Sequence, residues 1–441
     1  MYTSRMYKRS PIWLQNVLAS VYGGLRQKLR DNRHTRSLTA QLEQLQYDVH
    51  KCDAYRQARL KKMLAHAARR VPFYRDKGTD LGQYSVIDKA TVKAQHRDFL
   101  DSEHQGVKIK GATSGTTGSP LVIYQSKESV MRERAFTNRH RQWAGYQKGD
   151  KRAWLRGDMI VPGEQRKAPF WRYSWFEDMI MLSSFHLTTA NMASYIDAMV
   201  EFGVDVIQAY PSSIVSLAKY LQSCDTYYPA PLKSVITSSE SLSAEDRALI
   251  ESRFKCKVFD WYGLFERVAA IANCEHGNYH LLNDYAEVEL HHIDGNRYEL
   301  IGSNLNNSLF PLIRYRTGDF VQLSDEQSCP CGRHYPVISA IEGRQGDYLV
   351  AEQGQKVYVL NHIPKGVDGL LGCQFVQHRP GALEVRVQID DRRFDEHQRQ
   401  QLISNTKERL GQSMQVKVTP VSQLEKTASG KVRQALCSIE E

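Results

Sequence analysis

Long apolar runs are what this sequence most clearly lacks. No stretch approaches the roughly 18–20 uncharged apolar residues that a bilayer-spanning helix needs, so a transmembrane protein is not expected. The first apolar stretch, Ile12 to Leu25, is broken by Gln15 and Asn16, and no small-residue cleavage site follows it cleanly. A signal peptide is therefore not expected, and the cytoplasm is the expected compartment. Cysteine is sparse, with eight in 441 residues. In a long chain without an export signal, that excludes a disulfide framework as the organising device. Cys52, Cys224, Cys256, Cys373 and Cys437 are scattered and read as buried or idle thiols. Internal repeats and low-complexity tracts are missing, and so is a Walker A loop, since GxxxxGK(S/T) occurs nowhere.

Acidic residues are almost missing from the first forty positions. Eight Lys/Arg (Arg5, Lys8, Arg9, Arg26, Lys28, Arg30, Arg33, Arg36) stand there against Asp31 alone, so this segment holds +7 of the net +10. The basic balance is a local arm, not a basic surface. Within it Trp13, Leu14, Val17, Leu18, Val21 and Leu25 fall on helical spacing. Two readings of the arm stand side by side: a helix packed on the protein's own surface, or one docking onto an anionic membrane or an acidic partner. Nucleic acid is not an expected partner, because no binding motif appears and the basic excess stops with the arm.

What is present is a 41% apolar chain with about a quarter charged residues, long enough for a large domain and a smaller one. Asp53–Arg70 is helix-like and ends where Pro72 forces a turn. The middle alternates strand and helix. Val204–Ala209 reads as a strand, then Ser212 as the N-cap of a helix through Leu221. Val235–Ser238 is a second strand, and Ser243 with Glu245 and Asp246 opens a helix to about Phe254. Lys257–Trp261 is a third strand. This order predicts a doubly wound α/β sheet. Ligands in such sheets bind beyond the carboxyl ends of the strands. Those ends carry Tyr210-Pro211, Ser239-Glu240 and Tyr262-Gly263. The glycine- and charge-rich run 341–347 reads as a linker. Beyond it, Leu383–Ile389 and Gln415–Thr419 read as strands and Asp395–Leu410 as a helix, a small C-terminal α+β domain.

Residues Gly111–Pro120 read GATSGTTGSP, hydroxyls interleaved with glycines, a composition that lets backbone N–H groups and hydroxyls wrap a polyanion. Three further motifs follow in order: WYGLFE at 261–266, YRTGD at 315–319 and EKTASGKVR at 425–433. Together they resemble the adenylate-forming superfamily of acyl-CoA synthetases and related ligases, most closely the phenylacetate–CoA ligase branch and its CapK-like proteins. The likeness runs over nearly the whole chain. It implies the adenylating-enzyme fold: an arm over 1–40, a large α/β N-domain with mixed and parallel sheets over 41–343, a hinge at 344–346, and a small mobile domain over 347–441.

The resemblance also implies roles. ATP and Mg²⁺ are expected, with a carboxylic acid as substrate and CoA, or an amine or hydroxyl of a sugar or polymer, as acceptor. Thr113, Ser114, Thr116 and Thr117, with Gly115 and Gly118, are expected to hold phosphates, Glu266 the Mg²⁺, and Asp319 the ribose hydroxyls. Tyr262, with Gly263, is expected beside the adenine, with Ser239 and Glu240 near it, and Arg344 is expected to reach the nucleotide. Lys431 is expected to bridge the carboxylate and the α-phosphate. Two positions depart from the wider pattern: Leu121 follows Pro120 where many members have lysine, and Gly346 stands where many carry an acid. Phe185, His186, Trp154, Tyr210 and Pro211 are candidates for the acid pocket or for core packing.

Cys274, His280, Cys329 and Cys331 form a second constellation. Three thiols and an imidazole suit tetrahedral Zn²⁺, and four protein ligands leave no open position for chemistry. Many relatives in the branch share a similar arrangement, and His280 fits it better than His276.

Overall fold

The computed structural model describes residues 1–112, 121–344, 348–357, 360, 363–427 and 430–439. The chain forms two compact units that interleave in sequence. One comprises Met1–Gly24, Gln147–Val258 and Gln345–Glu441, the other Leu25–Tyr146 and Phe259–Arg344.

In the first unit the strands Ser234–Ser238, Val206–Ala209, Arg152–Arg156 and Met179–Ser183 lie side by side and parallel. Trp171–Ser174 adds an antiparallel edge. Strand residues such as Val206, Ile207, Val235 and Ile180 are buried, because helices supply the crossovers and cover the sheet. The helices Met192–Phe202, Pro211–Ser223 and Ala244–Phe254 do this. Ser243 caps the last, accepting from the Asp246 N–H at 3.0 Å. Ser212 is not the cap expected of it. Pro211 occupies the first helical turn and Tyr210 precedes it, since proline's fixed φ suits that turn and its missing N–H costs nothing there.

The same unit holds a four-stranded sheet near the C-terminus, ordered Gln415–Pro420, Ala382–Ile389, Leu370–Arg379, Ala435–Cys437. Its central pair is antiparallel and its outer pairs are parallel. The helix Glu396–Leu410, capped by Asp395, packs Leu402 and Leu410 into the core beneath it.

The N-terminal helix Ile12–Arg30 packs on the protein's own surface, but through its polar side. It buries Gln15, Ala19, Ser20 and Gly23, its small and polar side. Of the apolar series, Trp13, Val17, Val21 and Leu25 are exposed, while Leu14 and Leu18 are half-buried.

The second unit is an antiparallel sheet with helices. Its strands run Ala286–Asp294, Arg297–Asn304, Tyr315–Leu323, Val337–Arg344, Tyr279–Leu281, Ala270–Asn273, and then Trp261–Gly263 of the strand Lys257–Gly263. Residues 341–344, read as linker, are the end of a strand. They continue the pairing with Tyr315–Leu323, setting Asp319 opposite Arg344. A hairpin of Ile109–Ala112 and Val122–Gln125 brackets the hydroxyl-rich loop. Leu121 is a core residue, 1% exposed. The helices Arg33–Leu45, Val49–Arg70 and Lys127–Trp143 complete the unit.

Candidate active site and metal centre

The carboxyl ends of the parallel strands in the first unit gather one cluster. Arg156 ends its strand with its guanidinium 5.1 Å from the Trp154 ring centroid and 4.8 Å from that of Tyr210. It donates to Ser239 Oγ at 2.8 Å. Glu240 accepts the Ser212 N–H at 2.9 Å, one of the orphan donors of a helix's first turn, where the macrodipole favours a carboxylate. Its other oxygen accepts the Val432 N–H at 3.1 Å. Burial pushes the Glu240 carboxyl up, and those N–H donors together with the Lys431 charge oppose the shift.

That second bond fixes a C-terminal turn onto the strand ends. The turn closes through the Gly430 N–H to Thr427 O and the Thr427 N–H to Lys431 O, both 2.8 Å. Gly430 has φ +78°, and a Cβ there would stand 2.4 Å from Gly157 Cα and 3.1 Å from Ser184 Oγ. Glycine is thus required twice over, by its dihedral and by the close approach of two backbones. Lys426 donates to Ser184 O. Desolvation lowers its pKa to about 8 against the opposing charge of Glu240. Lys431 Nζ lies 6.0 Å from the Tyr210 ring centroid, so two cations, Arg156 and Lys431, flank that tyrosine.

A second cluster lies in the other unit. Tyr262 donates its O–H to Asp319 Oδ2 at 2.8 Å. Asp319 is 3% exposed, and its own N–H is held by Thr317 Oγ1 at 3.0 Å, next to Gly318 at φ +71°. Glu266 is buried, with Tyr315 Oη 3.5 Å from Oε1, and its carbonyl accepts Asn304 Nδ2 at 2.8 Å. Magnesium sites on substrate phosphates take one or two protein carboxylates and fill the remaining positions with water and phosphate oxygen. One buried carboxylate with a hydroxyl nearby fits that donor set.

The cysteines and histidine converge in the same unit. The ligand atoms of Cys274, His280, Cys329 and Cys331 all lie within 4.8 Å of one another. Cys274 Sγ and Cys329 Sγ are 3.7 Å apart, and Cys331 Sγ is 3.4 Å from His280 Nε2. Zinc–sulfur bonds near 2.3 Å and zinc–nitrogen bonds near 2.05 Å at tetrahedral angles set these separations at about 3.8 and 3.6 Å. A disulfide would require about 2.05 Å. Asn278 Nδ2 donates to Cys329 Sγ at 3.2 Å, the outer-shell support that metal thiolates receive. A resident ion would tie the turn after Ala270–Asn273 and the strand Tyr279–Leu281 to the loop before Val337–Arg344. Replacing Cys329 by serine is expected to drop bound zinc from one per chain to below about half, and to lower the thermal midpoint by several degrees. Elemental analysis of untagged protein and a melting curve test both.

A family model described as the CapK C-terminal domain matches residues 349–436. The chain is 24% identical over 449 residues to Protein CapK of Staphylococcus aureus, covering 98% of this chain and 99% of that one. It is 24% identical over 440 residues to the phenylacetate-coenzyme A ligase of Thermus thermophilus, covering 88% and 96%. Among solved structures, 2-hydroxyisobutyryl-CoA ligase in the postadenylation state, in complex with 2-HIB-AMP, matches with a TM-score of 0.64 over 89% of this chain and 90% of that one, at 18% identity. The chain is similar to CapK over nearly its whole length, and it shares the fold of 2-hydroxyisobutyryl-CoA ligase.

The structure brings Ser239, Glu240, Tyr210 and Lys431 into one cluster. It brings Tyr262 and Asp319 into direct contact, with Arg344 across the strand pair. Gly263 closes the same strand. Thr113, Ser114, Gly115, Thr116, Thr117 and Gly118 lie outside the described residues. His186 is 9% exposed, its Nδ1 2.8 Å from Ser183 Oγ and its ring stacked on Phe170. It packs the core. Arg156 and Lys426 were missed. Arg156 stands at the end of a strand whose alternation is disguised by an arginine at each terminus, and the following Gly157-Asp158 was the available signal. Lys426 was inside the quoted C-terminal motif and was passed over for Lys431.

Proposed function

We propose that this protein activates a carboxylic acid with ATP and passes the acyl group to an acceptor, as a step in building a surface polysaccharide. In the first half-reaction a carboxylate oxygen attacks the α-phosphorus. The bond from that phosphorus to the bridging oxygen breaks, and pyrophosphate leaves with the electron pair. In the second, a thiol, amine or hydroxyl of the acceptor attacks the acyl carbon, loses its proton, and AMP departs. Two anions must meet in the first step, so the site has to place positive charge where negative charge develops. The docked turn carries this reading: Glu240 and Gly430 hold Lys431 at the strand ends, beside Tyr210 and near Arg156.

The remaining roles follow the resemblance. Asp319 accepts the ribose hydroxyls, with Tyr262 orienting it and lying beside the adenine, while Arg344 reaches the nucleotide. Thr113, Ser114, Thr116 and Thr117 grip the phosphates. Mg²⁺ held by Glu266 would offset the phosphate charge. Zn²⁺ in the Cys/His cluster is structural. CoA is the acceptor in the second form of this proposal, favoured by the likeness to a phenylacetate-coenzyme A ligase.

Replacing Asp319 by alanine is expected to raise KM for ATP by about tenfold or more. A carboxylate accepting hydrogen bonds contributes about 1.5–3 kcal/mol, and the mutation removes it. Steady-state kinetics at saturating acid check this; an unchanged KM contradicts the assignment. The overall proposal is tested by a pyrophosphate-release screen over aryl, fatty, amino and uronic acids, with and without CoA. Release that depends on one acid class supports it. ATP binding without release on any acid marks a nucleotide-binding protein without turnover.

A further inference from the structure

We propose that the N-terminal helix and the aromatic turn beside it form a landing surface for an anionic membrane. The helix Ile12–Arg30 is bound to its own unit through polar groups. Gln15 Oε1 accepts Arg172 Nε at 2.5 Å, and Gln15 Nε2 donates to Tyr7 O at 3.1 Å and Ser10 O at 2.9 Å. Asn16 Oδ1 accepts the Tyr173 N–H at 3.1 Å, and Ser20 Oγ accepts the Trp175 N–H at 2.9 Å. An amphipathic helix on a globular surface ordinarily does the reverse and buries its apolar side.

The side left outward carries large apolar residues at every fourth position. Trp13 is 66% exposed, and Leu25 and Leu29 are each 59% exposed, with Val17 and Val21 between them. The patch widens at the turn Trp175–Glu177. Trp175 is 52% and Phe176 66% exposed, and a Cβ on Gly24 would sit 3.0 Å from Phe176 Cβ, so that ring lies against the helix. A contiguous apolar surface of this kind marks a binding face, unlike scattered single residues.

Charge selects the occupant. The helix holds Arg26, Lys28 and Arg30 with no acid, and the preceding helix Arg5–Arg9 adds three more cations. An anionic bilayer matches both features: tryptophan and phenylalanine settle at the headgroup boundary while lysine and arginine meet lipid phosphates. No described helix is long and apolar enough to cross a membrane, so the contact is peripheral. This inference is independent of the proposed chemistry.

The test is co-sedimentation of the full chain with vesicles of phosphatidylcholine alone, or with about a third phosphatidylglycerol. At least about tenfold stronger partitioning to the anionic vesicles is expected, weakening as salt shortens the Debye length. Trp13→Ser with Leu25→Ser is expected to lower it by about tenfold or more, and Lys28→Glu with Arg30→Glu to a similar degree. Trp13 and Leu25 are outward-facing, so the melting curve of their double variant should be unchanged. Equal partitioning to both vesicles, or variants that bind like the parent, overturns the proposal. So does a concentration-dependent dimer that Trp13→Ser with Leu25→Ser disperses while vesicle binding is nil.

Discussion

Replacing Lys431 by alanine is expected to lower carboxylate-dependent exchange of pyrophosphate into ATP by about a thousandfold while ATP still binds. A cation aimed at charge that develops only in the transition state contributes to rate more than to ground-state affinity. Loss of one such preorganised group costs about 10²–10³ in rate. The turn keeps its backbone bonds and the Val432 N–H to Glu240 bond in the variant, so the fold should tolerate the change. A second readout separates chemistry from structure. The variant should still transfer acyl groups from a supplied acyl-adenylate, since that half-reaction forms no bond to phosphorus. Near-normal exchange, or equal loss of both half-reactions, contradicts the role.

The second large effect concerns stability. Arg139 and Asp284 form a bidentate ion pair with side chains 1% and 0% exposed, at 2.5 and 3.1 Å. Tyr335 O–H adds a bond to Asp284 Oδ2 at 2.8 Å, and Leu42 O accepts from Arg139 at 3.2 Å. Burial works against the Arg139 charge, but Asp284, Tyr335 and Cys52 together outweigh it and raise its pKa. Asp284→Ala leaves that guanidinium buried without its counter-charge, which costs about 3–5 kcal/mol. Urea unfolding should show a loss of that size. Arg139→Met combined with Asp284→Leu should recover most of it, because the desolvation penalty leaves with the charges. A loss below about 1 kcal/mol for Asp284→Ala alone contradicts the account, being the range of exposed pairs.

Much of the first unit's architecture was legible because its signals are local. The strands around Val206, Val235 and Val258 are short apolar runs, Ser243 caps the helix it was read to open, and the helix read from Asp395 starts one residue later with Asp395 as its cap. The less legible parts depend on long-range partners. Ser212 has the chemistry of a cap, but its N–H is taken by Glu240, and Pro211 starts the helix. Residues 341–344 look like a linker by composition, yet cross-strand pairing with Phe320 and Asp319 makes them strand. The N-terminal helix shows why periodicity is incomplete evidence. It reveals that an apolar face exists, while the bonds of Gln15, Asn16 and Ser20 decide which way that face turns.

The candidate site was legible where a motif carried it. Tyr262 and Asp319 come together from motifs more than fifty residues apart, and the Cys/His set assembles from a turn, a strand and a loop. Arg156 was less legible, because its significance lies in Tyr210 and Ser239, which are more than fifty residues away in sequence.

The central claim is that an acid oxygen becomes bonded to the α-phosphorus of ATP. Turnover with a carboxylate labelled with oxygen-18 tests it most directly, read by mass spectrometry of the products. The account predicts that AMP acquires a single oxygen-18 atom from the acid and that pyrophosphate acquires none. Label appearing in inorganic phosphate with ADP, the signature of attack at the γ-phosphorus, contradicts it.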